Sequence, residues 1–135
     1  MNEHKDDRPA LQFSHNVIEH LGIKLYRNKS GNVLAELLAN SWDADSKWVD
    51  INIDIAGGEK GNGCITVADN GHGMTYQHIC EHYLIVGKAK RRSPKDTSIG
   101  GRYSMGRKGL GKLAPFGIAN KVDVVTIANG KLTWF

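Results

Sequence analysis

The chain has 135 residues, of which 40% are hydrophobic and 24% are charged, a balance typical of one globular domain. No apolar run approaches the roughly 18 residues of a membrane-spanning helix, and the N-terminus lacks the apolar core of a signal peptide. Two cysteines that form no C-x-x-C pair favour a reducing compartment, so we expect a cytoplasmic protein without disulfides. The composition also excludes collagen-like and wholly disordered classes.

Hydrophobic spacing predicts two helices in the first third of the chain. Residues 1–10 are polar and are predicted to form an arm ahead of the domain proper, at residues 11–135. The first helix is amphipathic and is predicted to end near Gly22. The second helix is predicted to begin with Ser30 as its N-cap and to run to Asp43.

Three oxygen-bearing side chains share one line of this second helix. At about 100° per residue, Glu36, Asn40 and Asp43 cluster at the edge of a wide apolar stripe. The stripe consists of Val33, Leu34, Leu37, Leu38 and Trp42. A carboxylate beside an amide oxygen can position a water molecule while the amide binds Mg²⁺, although the same residues also suit the polar boundary of an ordinary helix.

Two strands and a third helix are predicted next. Alternation of apolar and polar residues predicts a strand at residues 49–55 with one buried face, and residues 64–69 are predicted to form the returning strand. Thr75 is predicted to cap a helix that runs to about residue 86. Its predicted buried side comprises Tyr76, Ile79, Tyr83 and Leu84.

The segment at residues 87–111 is basic and rich in glycine. Its length and lack of periodicity are typical of a functional loop, and its charge favours a polyanionic partner. A short helix is predicted from Gly111 and a strand at residues 122–127. Asn129-Gly130 predicts a type I′ turn into a further strand. Because the chain stops within that strand, we expect the domain to continue beyond it.

The sequence Asp-Asn-Gly-His-Gly-Met at residues 69–74 ends the second predicted strand. The carboxylate of Asp69 can accept hydrogen bonds from an amine. Gly71 and Gly73 let the backbone approach a flat ligand that a Cβ atom would obstruct. The same residues also suit an ordinary turn.

A second glycine-rich sequence, Gly-Arg-Lys-Gly-Leu-Gly-Lys at residues 106–112, opens the predicted short helix. Backbone N–H groups at a helix N-terminus bind phosphate, and Lys108 and Lys112 add positive charge. The spacing is not that of a P-loop, because Lys112 is followed by Leu113 rather than by Ser or Thr.

In this order, the three sequences resemble the ATPases grouped as gyrase B, heat-shock chaperone, histidine kinase and MutL type, the GHKL or Bergerat-fold superfamily. Residues 36–44 are similar to its N-box, residues 69–74 to its adenine motif and residues 106–112 to its lid motif. The layout of residues 106–126 is most similar to the heat-shock chaperone branch. The resemblance implies a two-layer α/β sandwich, with helices packed on one face of a mixed, mainly antiparallel sheet.

The resemblance also implies a role for each matching residue. Glu36 would be the catalytic residue that polarises the attacking water, Asn40 would hold Mg²⁺, and Asp43 would support the magnesium and water network. Asp69 would bind the adenine amino group. The remaining nucleotide-binding positions implied by the motifs are Gly71, Gly73, Met74, Lys88, Gly106, Lys108, Gly109, Leu110, Gly111 and Lys112.

ATP and Mg²⁺ are therefore the cofactors that the resemblance implies, with residues 87–111 as a mobile lid. In the full-length protein, slow ATP hydrolysis would drive lid closure and formation of a homodimer through the N-terminal domains. DNA or a client protein would be a further partner, and no membrane is involved. The family's threonine motif is expected beyond Phe135, and a catalytic Arg or Lys is expected from a following domain.

Three other functions suit parts of the sequence. His78, Glu81 and His82 match the H-x-x-E-H sequence of inverted zinc peptidases, but no Glu follows them to complete the ligand set. The basic residues at 88–112 suit a nucleic-acid-binding module, although only Tyr103 is present there to stack on bases. A histidine-kinase ATP-binding domain would share fold and pocket with the resemblance described above.

Overall fold

A computed structural model of the chain describes residues 15–27, 29–55, 63–86, 97–106 and 109–135. Two helices come first, followed by a hairpin, a short third helix, a 3-10 helix and a second hairpin. These elements are α1 (His15–Tyr26), α2 (Ser30–Asp43), β1 (Val49–Asp54), β2 (Cys64–Asp69), α3 (Tyr76–His78) with its π-helical continuation (Ile79–Tyr83), the 3-10 helix (Gly111–Gly117), β3 (Val125–Ala128) and β4 (Lys131–Trp134). Helices and antiparallel strands in one chain confirm the predicted α/β class.

Helix α1 packs closely against the 3-10 helix. Gly22 is buried there, and a Cβ atom on it would lie 2.6 Å from the carbonyl oxygen of Leu113. The prediction that α1 ends near Gly22 is therefore wrong: the glycine serves close packing inside a helix that continues to Tyr26. Val33 of α2 joins Leu113 and Ala114 in the buried core.

Helix α2 begins one residue earlier than its predicted cap implies. Lys29 occupies the N-cap position and Ser30 is the first helical residue, so the prediction of Ser30 as a side-chain cap is wrong. The apolar stripe is only partly covered, because α2 packs mainly on the 3-10 helix. Val33 is fully buried, whereas Leu38 and Trp42 stay more than two-fifths exposed.

Strands β1 and β2 pair in antiparallel register, with Val49 opposite Asp69 and Asp54 opposite Cys64. Their alternation predicted one buried face, yet Ile53 remains 53% exposed and Ile65 is 43% exposed. The helices make their main contacts with one another rather than with this hairpin. The described strands thus form two separate two-stranded antiparallel sheets, where the resemblance implied one mixed sheet.

The second hairpin follows its predicted turn. Strand β3 begins at Val125, later than the predicted residue 122, and pairs with β4. Asn129 and Gly130 have φ values of 53° and 71°, as a type I′ turn requires at both central residues. The predicted turn type is confirmed.

Helix α3 is capped as predicted but is shorter and less covered. The backbone N–H of His78 donates to Thr75 Oγ1 at 3.2 Å, which confirms the cap. The helical region ends at Tyr83. Ile79 is buried, but Tyr76 and Leu84 are 71% and 54% exposed, so their predicted burial is wrong.

The predicted short helix from Gly111 is a 3-10 helix that contains Pro115. Proline lacks an N–H group, and its ring clashes with the carbonyl four residues earlier in an α-helix, which favours the tighter winding. In the part of the chain that the structure describes, no helix combines the length and apolarity needed to cross a membrane.

Candidate functional site

A cavity of about 420 Å³ lies between helix α2 and the segment that leads into the 3-10 helix. Its size is within the range of about 300–1,000 Å³ that is usual for small-molecule sites. The predicted site residues that line it are Glu36, Asn40, Gly106, Gly109, Leu110, Gly111 and Lys112. The N-box helix and the glycine-rich sequence, about 70 residues apart in the chain, thus face one space.

Glu36 faces Gly111 across this cavity. A Cβ atom on Gly111 would collide with Glu36 Oε2, so the absence of a side chain makes room for the carboxylate. Tyr26, at the end of α1, donates from its hydroxyl to Glu36 Oε1 at 3.4 Å. Partial burial, together with the Glu36 carboxylate, raises the pKa of Tyr26, so the phenol stays protonated and remains a donor at neutral pH.

The glycine-rich segment is held in a conformation that favours glycine. Gly109 is buried and has a φ of 64°, in the left-handed region that other residues rarely adopt. Leu110 follows as the N-cap of the 3-10 helix. Lys88 and Lys108 lie outside the described residues, so their phosphate-binding roles stay predictions.

Lys112 occupies a place that the sequence did not indicate. Its Nζ donates to the carbonyl oxygens of His82 at 3.2 Å, Ile85 at 2.9 Å and Tyr83. It also lies 5.5 Å from the centroid of the Tyr83 ring. The ammonium group therefore ties the cavity wall to the end of the π-helix, and its predicted contact with phosphate stays a prediction.

The turn at residues 69–74 docks against α2 through Asp69. Its Oδ2 accepts a hydrogen bond of 2.8 Å from the buried Ser41 hydroxyl, and its Oδ1 accepts the backbone N–H of Gly71 at 2.8 Å. A Cβ atom on Gly71 would lie 2.6 Å from that of Ala44. These contacts fix the orientation of the Asp69 carboxylate. The residue is exposed, so the carboxylate remains accessible to solvent.

Gly73 and Met74 complete this turn against strand β3. Gly73 has a φ of 68°, and a Cβ atom there would collide with the carbonyl oxygen of Ile127. The backbone N–H of Met74 donates to Thr126 Oγ1 at 2.9 Å. Thr126 thus contacts the turn, while the location of the family's threonine motif beyond Phe135 stays a prediction.

Sequence reasoning missed Thr126, although a signal was present. It is buried in β3, where its neighbours Val125 and Ile127 are both more than 60% exposed. A hydroxyl residue between two β-branched apolar residues points to the opposite face of a strand. Only the fold shows which face meets the turn.

Asp43 contacts the segment just before Gly109, rather than the cavity. Its Oδ1 accepts the backbone N–H of Met105 at 2.7 Å. Its Oδ2 accepts the N–H of Gly106 at 3.1 Å and the hydroxyl of Ser104 at 3.2 Å. The carboxylate therefore fixes the approach to the glycine-rich segment; the role in a magnesium and water network that the resemblance implies stays a prediction.

The donor set beside the cavity fits magnesium better than zinc. Glu36 and Asn40 offer a carboxylate and an amide oxygen one helical turn apart, which are ligands of a hard cation. By contrast, the described ranges contain no group of three His, Cys, Asp or Glu residues that could hold a metal ion. The rings of His78 and His82 stack on each other with their centroids 4.9 Å apart.

A carboxylate and an amide that face a glycine-lined cavity, on a helix that also anchors an Asp-x-Gly-x-Gly turn, define a nucleotide site of the GHKL type. The family model described as "Histidine kinase-, DNA gyrase B-, and HSP90-like ATPase" matches residues 28–135. That match covers most of the chain, so the chain belongs to this family of ATPases. The predicted superfamily is confirmed, and ATP is the nucleotide that the family implies.

One curated relative is informative about context. The chain is 42% identical over 125 residues to a protein of Herpetosiphon aurantiacus named "Putative type II restriction enzyme HgiDII". The similarity covers 93% of this chain but only 19% of the relative, so the chain spans about a fifth of that protein's length. No solved structure matches the chain.

Proposed function

We propose that this chain is the ATP·Mg²⁺-binding domain of a protein that hydrolyses ATP slowly. The observation that carries the proposal is the cavity of about 420 Å³ in which Glu36 and Asn40 face Gly106, Gly109 and Gly111. Oxygen ligands on one wall and side-chain-free backbone on the other suit a metal-bound triphosphate.

In this site, Glu36 would act as the general base that polarises the attacking water. The amide oxygen of Asn40 would hold magnesium, which supplies positive charge to offset that of the phosphates. The backbone of Gly106, Gly109 and Gly111 would bind the phosphate oxygens. Lys112, which lines the cavity, would add positive charge near the phosphates.

The adenine would bind at the turn of residues 69–74. Asp69 would accept a hydrogen bond from the exocyclic amine, in an orientation that Ser41 and the Gly71 N–H support. Gly71 and Gly73 would leave room for the base, with Met74 against its face. The turn does not line the cavity itself, but it contacts α2 one residue after Asn40, so base and phosphates would span adjoining regions.

In the full-length protein, we propose that ATP closes the lid at residues 87–111 and promotes a homodimer through this domain, and that a basic residue of a following domain completes hydrolysis. The heat-shock-chaperone-like layout of residues 106–126 supports such a cycle. The name of the Herpetosiphon relative supports a role in DNA restriction. DNA is therefore the partner we favour over a client protein, in a cytoplasmic setting.

Calorimetric titration of the full-length protein with ATP·Mg²⁺, and with GTP·Mg²⁺ as the control nucleotide, tests this function. We expect ATP alone to bind, and Asp69→Asn to weaken binding about tenfold to a hundredfold, because a hydrogen bond to a charged acceptor is lost. Asp54→Asn changes an exposed carboxylate at the other end of the same hairpin and is the matched control. Equal affinity for GTP, or an unchanged Asp69→Asn protein, would contradict the assignment.

A further inference from the structure

Residues 97–106, here named the lid foot, form a small closed turn ahead of the glycine-rich segment. The backbone N–H of Ser98 donates to the Arg102 carbonyl at 2.8 Å, and that of Gly101 donates to the Ser98 carbonyl at 3.0 Å. Thr97 and Tyr103 form an antiparallel bridge across its base. The lid foot therefore has an internal structure that can be held or released as a unit.

Asp45, just beyond α2, holds this turn with both carboxylate oxygens. Its Oδ1 accepts the hydroxyl of Ser98, and its Oδ2 accepts the backbone N–H of Gly100 at 2.7 Å. A Cβ atom on Gly100 would lie 2.6 Å from Asp45 Oδ1, so the approach depends on glycine. These hydrogen bonds, that of Ser98 first, lower the pKa of Asp45, as expected for a carboxylate held in its ionised form.

A second set of contacts braces the same turn from the side of α2. The guanidinium carbon of Arg102 lies 4.6 Å from the centroid of the Trp42 ring, and its Nη1 donates to the Ser46 carbonyl at 2.7 Å. Trp42 in turn donates from Nε1 to the Tyr103 carbonyl at 3.0 Å. The indole of Trp42 thus has contacts with the turn although it is 43% exposed.

The lid foot leads directly into the cavity. After Tyr103, the chain meets Asp43, which accepts the N–H groups of Met105 and Gly106. Met105 and Gly106 both line the cavity. A displacement of the turn at residues 98–102 would therefore be transmitted over only a few bonds to backbone that faces the proposed phosphate position.

We propose that Asp45 is a positioning residue for the nucleotide: it fastens the lid foot to the end of α2 and so keeps Met105 and Gly106 in place at the cavity. This inference rests on the proposed function. Asp45 does not line the cavity, so its effect would be exerted through the lid foot. By thermodynamic reciprocity, bound ATP must in turn strengthen the contacts that Asp45 makes.

The full-length Asp45→Asn protein tests this role. Asparagine has the same shape and tolerates the φ of 60° at this position, but it replaces one acceptor oxygen with an NH₂ group. We expect ATP·Mg²⁺ affinity to fall about fivefold or more, within the range of coupling between distinct sites. Hydrogen exchange of the Gly100 and Arg102 amides should accelerate in the nucleotide-free protein. Asp50→Asn, on exposed β1, is the control that changes charge equally.

Ser98→Ala removes the other side of the same contact and provides a second variant should Asp45→Asn fold poorly. It is expected to reproduce the loss of affinity, and the two changes together should cost less than their sum, because they act on one interaction. ATP binding that both variants retain at the level of Asp50→Asn would overturn this inference alone. An unaltered protein that does not bind ATP would overturn the proposed function and this inference with it.

Discussion

Glu36 and Asp43, which lie on one side of α2, make different contacts in the structure. At the cavity end, Glu36 accepts a long hydrogen bond of 3.4 Å from Tyr26 and lines the cavity. At the other end, Asp43 accepts three hydrogen bonds from the segment at residues 104–106. Just beyond it, Asp45 accepts two from the lid foot.

The contacts of carboxylates on and just after one helix therefore depend on what the rest of the chain brings opposite them. Opposite Glu36 lies a glycine, which offers no side chain. Opposite Asp43 and Asp45 lie backbone N–H groups, which a carboxylate binds strongly. Helical spacing alone makes Glu36 and Asp43 equivalent, so their contrast is a property of the folded chain.

Glu36→Gln should have the largest effect on activity. A small effect would contradict the contrast between Glu36 and Asp43. We expect turnover of the full-length protein to fall about a hundredfold to ten-thousandfold, the usual contribution of a general base. ATP affinity should be nearly retained, because the amide has the same shape. Steady-state hydrolysis and calorimetry on the same preparation measure both quantities. A loss of binding as large as that of Asp69→Asn would contradict a catalytic role.

Tyr26→Phe should give an intermediate effect at the same end of the helix. It removes the hydroxyl that orients Glu36 while the ring keeps its packing, so we expect kcat to fall about threefold to tenfold at unchanged ATP affinity. Tyr76→Phe, which alters a 71% exposed tyrosine away from the cavity, is the matched control. Equal rates in the two variant proteins would show that Glu36 needs no such orientation.

Lowering the pH should weaken the contacts that Asp45 makes with the lid foot. We expect this to be the smallest of the effects. The pKa of Asp45 is lowered in the folded chain by its hydrogen bonds to Ser98 and Gly100. Its contribution to stability is therefore complete above its unfolded pKa, and is lost as pH falls through the folded value, below about pH 4. The urea midpoints of the unaltered and Asp45→Asn proteins should differ at pH 7, and the gap should narrow as the pH falls below about 4. A gap that does not narrow at all in acid would contradict an ionised anchor.

Local pattern was sufficient for the elements whose signal lies within a few residues. The bounds of α2 and β2, the cap at Thr75 and the turn at Asn129-Gly130 all follow from such patterns, and the structure confirms them. Burial was predicted less well. Periodicity shows that the side chains of β1 alternate, but it cannot show whether another element covers Ile53.

Local sequence pattern could not predict the contacts between segments that are distant in the chain. Thr126 meets Met74 across 52 positions, and Ser98 meets Asp45 across 53. The contacts of the Lys112 ammonium group with the end of the π-helix were not predictable from its residue type, and its phosphate contact stays a prediction. Residue type limited the chemistry of each position without naming its partner.

The amino-acid order by itself determined the three chemical ingredients of the site: a helix bearing Glu36 and Asn40, a strand-end Asp69, and a glycine-rich segment ending at Gly111. Short-range spacing encodes these, because helix and turn geometry repeat over only a few residues. The tertiary structure alone decided that Asp69 meets Ser41, that Gly111 faces Glu36, and that the carboxylates beyond Asn40 hold the lid foot. Those outcomes depend on long-range packing, in which the absence of a Cβ atom or the exposure of one N–H group selects the partner.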